Sequence, residues 1–176
     1  MSALDNAKRA QATVFEVNWE SAYAELLPKV YHYFCLRTGD QLTAEDLTAE
    51  TFERAWRDRE RYRKDLGAFT NWLFGIARHV AITHFRRNQK ETSIDQQDRV
   101  ELSRPTEEVA TNQQEFERLV SMLTSLPERE REMFSLKYGA QFTNRSIAKI
   151  VGLTESNVGT ILHRLVARLR EQLEQK

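Results

Sequence analysis

Residues 143 to 170 read TNRSIAKIVGLTESNVGTILHRLVARLR, and the apolar spacing predicts a helix, a tight turn and a longer helix. Gly152 falls in the turn, where a helix end calls for a left-handed residue and only glycine adopts that backbone without a side-chain clash. Ala148, four residues earlier, is small enough for the second helix to cross closely. Ile147, Leu153, Val158 and Ile161 or Leu162 are expected to fill the angle between the helices, with Thr143 and Thr154 as N-caps. This is the spacing of a helix-turn-helix. Outside that angle, Glu155, Ser156, Asn157, Thr160, His163 and Arg164 lie near the start of the second helix, with Arg168 and Arg170 further along. Short polar groups there suit base edges in a major groove, and the later arginines suit phosphates.

Upstream of the motif, Pro127 fits the first turn of a helix that turns Met133, Phe134 and Leu136 inward. Thr106 opens another helix through Phe116, Leu119, Val120 and Leu123. Between about 89 and 105 the sequence is Gln, Asp, Ser and Thr with few large side chains, too little apolar surface to offset the entropy of ordering, so it reads as a linker. The N-terminal half carries helical periodicity in three runs. The first spans Val17 to Leu36, with a bend expected at Pro28 and a stop at Gly39. The second is capped by Thr43 and runs to about Asp58, and the third covers Phe69 to Asn88. Arg59 to Gly67 has charge without periodicity and reads as a loop. The expected fold is all-α: two small helical domains joined by a flexible linker, the C-terminal one a helix-turn-helix. The expected divisions are a tail at 1–13, a first domain at 14–90, a linker at 91–105 and a second domain at 106–176.

Charge is organised along the chain although its total is zero. Met1 to Glu53 carries four basic and nine acidic residues, and Arg54 to Lys90 carries ten and three. From Glu91 to Pro127 the numbers are three and eight, and from Glu128 onward nine and six. A basic block between acidic ones is a local field suited to phosphates. One cysteine, Cys35, excludes an internal disulfide and multi-cysteine metal sites and is expected in the core of a reducing-compartment protein. Residues 1–12 lack the apolar core of a secretion signal, and no run of about eighteen apolar residues occurs, so a soluble, cytoplasmic chain that is not membrane-inserted is expected. Four histidines and no Gly-rich phosphate loop leave little with which to build an enzyme; Asp46 with Glu50 and His79 with His84 read as helix-surface pairs, and neither a cofactor nor a metal is expected.

Two segments carry a family resemblance. Leu126-Pro-Glu-Arg-Glu-Arg-Glu132 leading into the helix-turn-helix, which ends in His163-Arg164 and Arg168-Leu-Arg170, resembles region 4 of sigma-70-type factors. Ala44-Glu-Asp-Leu47 with Phe52 and Arg54-Ala-Trp56, then Trp72-Leu73, Ile76-Ala-Arg78 and Phe85-Arg-Arg87, resembles their region 2. Their order and the linker resemble the extracytoplasmic-function (ECF) subgroup, over roughly Val14 to Leu173.

The resemblance implies an initiation factor that binds core RNA polymerase and directs it to promoter DNA at −10 and −35 elements, with an anti-sigma factor as a further partner. It assigns polymerase binding to Asp46, Leu47, Glu50 and Arg54. It assigns melted −10 DNA to Arg61, Tyr62, Arg63, Phe69, Asn71, Trp72, Arg78, Arg86 and Arg87, where aromatic faces stack bases and arginines hold the backbone. The −35 set is Arg145, Glu155, Ser156, Asn157, Thr160, His163, Arg164 and Arg168. Phe52 and Trp56 are expected in the core. Gly159, Ile161 and Val166 stand where family members often carry basic residues, and Thr83 where an aspartate is common. The alternative is a stand-alone helix-turn-helix transcription regulator whose N-terminal half senses or dimerises.

Overall fold

A computed structural model describes residues 17–91 and 118–174, and these are helical with short turns between. The tail, the linker from 92 onward and the helix start at Thr106 with Phe116 lie outside the described residues. Helix α1 is Trp19–Thr38, capped by the Asn18 side chain accepting from the Ser21 amide and ended by Gly39 at φ 75°. Helix α2 is Gln41–Arg57. Its cap is Asp40, whose carboxylate accepts from the Thr43 amide at 2.7 Å, and not Thr43 as the sequence suggested. The expected loop from Arg59 to Gly67 contains two short 3₁₀ turns, Arg59–Arg61 and Lys64–Leu66. Helix α3 is Phe69–Glu91.

The C-terminal half begins, among the described residues, with a helical turn at 118–124, here α4. Pro127 is the residue immediately before α5, Glu128–Phe134, rather than within its first turn. The chain then widens into a π turn, Ser135–Gly139, in which the Ala140 amide donates to the Ser135 carbonyl five residues back. Helix α6, Asn144–Val151, is capped by Thr143 and ends at Gly152, φ 69°. Helix α7, Glu155–Glu174, has the Thr154 hydroxyl accepting from the Asn157 amide at 3.2 Å, so the expected caps and turn are all present.

One buried core runs through both halves. Leu26, Val30 and Phe34 of α1, Leu47 and Phe52 of α2, and Leu73, Phe74 and Val80 of α3 are continuous with Met133, Leu136, Phe142, Ile147, Val158 and Leu162. Leu123, Leu126, Phe134, Leu165 and Leu169 form a smaller cluster within the C-terminal half. Each such side chain contributes about 1.5 to 3 kcal/mol when fully buried. Thr48 and Thr51 enter this core with their hydroxyls satisfied, because each donates to the carbonyl four residues earlier. Cys35 is buried, as expected, and burial pushes its thiol pKa up.

Tyr33 is fully buried, and its hydroxyl has no hydrogen-bond partner among the described residues. Burial pushes its phenol up to about 12, against the electrostatic pull of Arg37. The neutral phenol is therefore favoured in the folded chain. Its contribution is intact below the ordinary tyrosine pKa of about 10 and is lost as pH rises through about 12. Tyr33→Phe is expected to flatten this alkaline fall and, by removing an unsatisfied hydroxyl, to leave neutral-pH stability unchanged or up to about 1 kcal/mol higher. Tyr31, pushed up to about 12 first by its hydrogen bond to Cys35, keeps its own share of the slope. Denaturant midpoints of both proteins across the alkaline range measure this; identical falls would remove Tyr33 as the cause.

Candidate nucleic-acid interface

Five aromatic rings from four places in the chain meet at one end of the N-terminal half. Trp19 at the start of α1 packs edge-on against Trp56 at the end of α2, with centroids 5.2 Å apart, and against Phe69 at the start of α3, 5.3 Å apart. Tyr62 lies 5.3 Å from Phe69 and 5.5 Å from Trp72, and Phe69 lies 5.4 Å from Trp72. The Tyr62 hydroxyl donates to the Gly67 carbonyl at 3.1 Å, which fixes the turn-rich segment around the patch. Tyr62, Phe69 and Trp72 are half-buried, so they are held in place while keeping accessible surface.

Trp56 departs from its expected place in the core. It is 53% exposed because the last turn of α2 runs past the core, and Arg59 covers its face at 4.6 Å. Trp19, Trp56 and Arg59 belong to this patch although the sequence reading left them out of it. The spacing of Trp56 and Arg59, one helical turn apart, was the available signal.

Around the rings the cations are held loosely. Arg61 pairs with Asp58 at 3.2 Å, and Arg63 makes a two-pronged contact with Asp65. The Arg63 guanidinium holds the Asp65 carboxyl below the usual carboxylate range. Both pairs are open to water, which screens them, so a phosphate can replace either carboxylate. Asn71, Arg86 and Arg87 are exposed. Arg78 differs: its Nε donates to Glu132 of the C-terminal half at 2.7 Å.

On α2, Asp46 is exposed, and Glu50 and Arg54 form an ion pair one turn further along. Leu47 is 5% exposed and turns into the core, so it orients this helix and offers no surface.

The second surface is the outer face of α7. Glu155, Ser156, Asn157, Thr160, His163 and Arg164 are all exposed on it. Thr160 spends its hydroxyl proton on the Ser156 carbonyl, Arg145 pairs with Glu155 at 3.1 Å, and Arg168 pairs with Glu130. Two of the unusual residues have a packing reason. Ile161 and Val166 are half-buried against the large and the small core respectively, where a basic side chain would lose hydration. Gly159 faces Asn144 of α6, and a β-carbon there would stand 3.4 Å from the Asn144 amide nitrogen. That is ordinary contact with the end of one side chain, and nothing in the packing explains glycine at this position. Thr83 donates to the His79 carbonyl at 2.9 Å.

Among the described residues no cluster of metal-ligating groups occurs and no helix is long and apolar enough to cross a membrane.

Comparison with known proteins gives one consistent answer. The family description for sigma-70 region 2 matches residues 22–91, and that for sigma-70, region 4, matches residues 116–169. The ECF RNA polymerase sigma factor SigM of Bacillus subtilis (strain 168) is 29% identical over 152 residues, covering 86% of this chain and 92% of that protein. The ECF RNA polymerase sigma factor SigL of Mycobacterium tuberculosis (strain H37Rv) is 28% identical over 180 residues, covering 99% and 97%. Among solved structures, the sigma factor RpoE of Bartonella quintana, in complex with the anti-sigma factor NepR, superposes with a TM-score of 0.72 at 21% identity. It covers 90% of this chain and 98% of its own, and the likeness is one of fold.

Proposed function

This chain belongs to the sigma-70 family, in its extracytoplasmic-function subgroup, and on that premise we propose how its surfaces divide the work of promoter-specific transcription initiation with RNA polymerase. The N-terminal half captures melted −10 DNA on the patch of Trp19, Trp56, Tyr62, Phe69 and Trp72. The exposed face of α7 reads the −35 element. The α2 face of Asp46, Glu50 and Arg54 docks on core polymerase.

The observation that carries this reading is the aromatic patch with Arg59 over Trp56 and with Arg61 and Arg63, on either side of Tyr62 in the chain, held in exposed ion pairs. Opening a duplex costs a few kcal/mol per extruded base. Stacking on an aromatic face returns about 1 to 3 kcal/mol per base, so a protein that stabilises a bubble needs several such faces beside cations. A stand-alone helix-turn-helix regulator needs none, and is not favoured for a chain matching both regions. The role uses no catalytic group of its own. An anti-sigma factor is the partner proposed for its restraint, as the related fold has been solved with one.

The test is transcription in vitro from genomic DNA by core polymerase, with and without the purified chain. Discrete start sites that depend on the chain are expected. Failure to bind core polymerase, or transcription without any specific start, overturns the proposal.

A further inference from the structure

The large apolar side chains left exposed among the described residues are Tyr23, Leu42, Trp56, Leu66 and Tyr138. All but one have a neighbour or a role that accounts for them. Tyr23 lies against Phe52 at 4.8 Å, Trp56 meets Trp19 and Arg59, and Tyr138 lies against Phe134 at 4.5 Å. Leu42 stands one helical turn before Asp46, on the α2 face given above to polymerase. Leu66 has neither. It is 77% exposed, more than any other of the five, and belongs to neither buried cluster.

The turn that carries it is braced from within. Lys64–Leu66 has no buried residue, so its own hydrogen bonds and not the core hold its shape. The Leu66 amide donates to the Arg63 carbonyl at 3.0 Å, and the Gly67 amide to the Lys64 carbonyl at 3.2 Å. The Tyr62 hydroxyl donates to the Gly67 carbonyl at 3.1 Å, and the Asp65 carboxylate accepts from the Arg63 guanidinium at 3.2 and 2.7 Å. A β-carbon on Gly67 would meet nothing within 4 Å, so the chain just after the leucine is bare as well.

One exposed leucine on an ordinary surface calls for no explanation. This one has Arg61, Arg63 and Lys64 within the five preceding positions and is tied, through Gly67, to the Tyr62 ring of the aromatic patch. Cations at that density attract a phosphate backbone. A leucine has no π face, so it cannot receive an extruded base as Tyr62 or Trp72 can. It is instead a compact apolar body of the kind that proteins insert between base steps, where it unstacks the bases and kinks the duplex. Its surface, left in water by the free chain, then becomes buried only as the duplex opens, so the gain favours the open state alone.

We propose that Leu66 is a wedge: its side chain enters a base step of the −10 duplex and fills the gap left as the neighbouring base swings onto the rings. The proposal deepens, and rests on, the −10 role given to the aromatic patch above.

The test uses the chain bound to core polymerase on a promoter fragment whose start site depends on the chain. Permanganate reactivity of thymines between the −10 element and the start site reads the rate of opening. Leu66→Ala is expected to slow opening about tenfold or more. Leu66→Met, which keeps an apolar body of similar volume, should restore most of the rate. On the same fragment with a mismatched, already open −10 segment, Leu66→Ala should initiate as fast as the wild type, since no base step remains to be parted. The side chain lies outside the core, so the thermal midpoint should not move. Duplex opening by Leu66→Ala at the wild-type rate overturns the wedge. An equal loss on the pre-opened fragment overturns it in favour of a contact with the captured strand, and weakened binding to core polymerase overturns it in favour of a protein contact. In all three cases chain-dependent starts remain and the assigned function stands; their complete absence removes both proposals.

Discussion

Phe74→Ala is expected to lower the unfolding free energy by about 3 to 5 kcal/mol and to turn a single cooperative unfolding transition into two. The first effect follows from packing. Phe74 is 1% exposed, in edge-to-face contact with Tyr33 at 5.7 Å and Phe142 at 4.8 Å, and truncation leaves a cavity that rigid helices on three sides cannot fill. Against a total stability of about 5 to 15 kcal/mol, this is a large fraction. The second effect follows from where the ring sits. Tyr33 belongs to α1 and Phe142 to the turn before α6, so the same cavity loosens the N-terminal core and detaches the C-terminal half. The small cluster around Leu123, Phe134, Leu165 and Leu169 remains to hold that half together on its own. Denaturant titration gives the cost and calorimetry the number of transitions. A cost below about 1 kcal/mol, or a single transition at unchanged sharpness, would show that the halves do not share this core.

That shared core is the part of the fold the sequence did not reveal, and the reason is physical. Nothing in the sequence singles out the contacts of Gly139 or Glu132, because their partners His32, Tyr33 and Arg78 lie far away along the chain and no local periodicity reports them. The helix-turn-helix was legible for the opposite reason. Ile147, Ala148, Gly152 and Val158 do their work within one turn or two of each other, so spacing alone reports the geometry. Caps sit between these cases. Asp40 and Thr43 both have capping side chains, and what decides for Asp40 is the left-handed Gly39 before it, which sets the direction in which α2 begins. Trp56 shows where periodicity misleads: it counts apolar residues along a helix but cannot say where the helix leaves the core. Tyr62, Phe69 and Trp72 were singled out through the family resemblance, whereas Trp19 joined them only once α1 was placed beside α3.

Replacing Asn157 and His163 together by alanine should change which promoters are used, by roughly thirtyfold or more at those read through these side chains, while leaving polymerase binding intact. Each base-edge contact is worth about 1 to 3 kcal/mol of discrimination, and separated contacts add roughly. Both residues are exposed on the outer face of α7, away from Val158, Leu162 and Leu165, so their removal leaves the helix packed. Arg168→Ala is the informative contrast. Its guanidinium, now paired with Glu130, stands further along the helix where a phosphate would lie, and its loss should weaken all promoters alike and reduce the salt dependence of binding by about one ion. Competition between promoters in one transcription reaction distinguishes the two patterns. An equal fall at every promoter for the Asn157 and His163 pair would mean that these side chains position the helix without reading sequence. The discrimination would then have to come from the rest of the face, where Thr160 already spends its proton on the backbone and Arg145 is paired with Glu155, leaving Ser156 and Arg164 as the next groups to test.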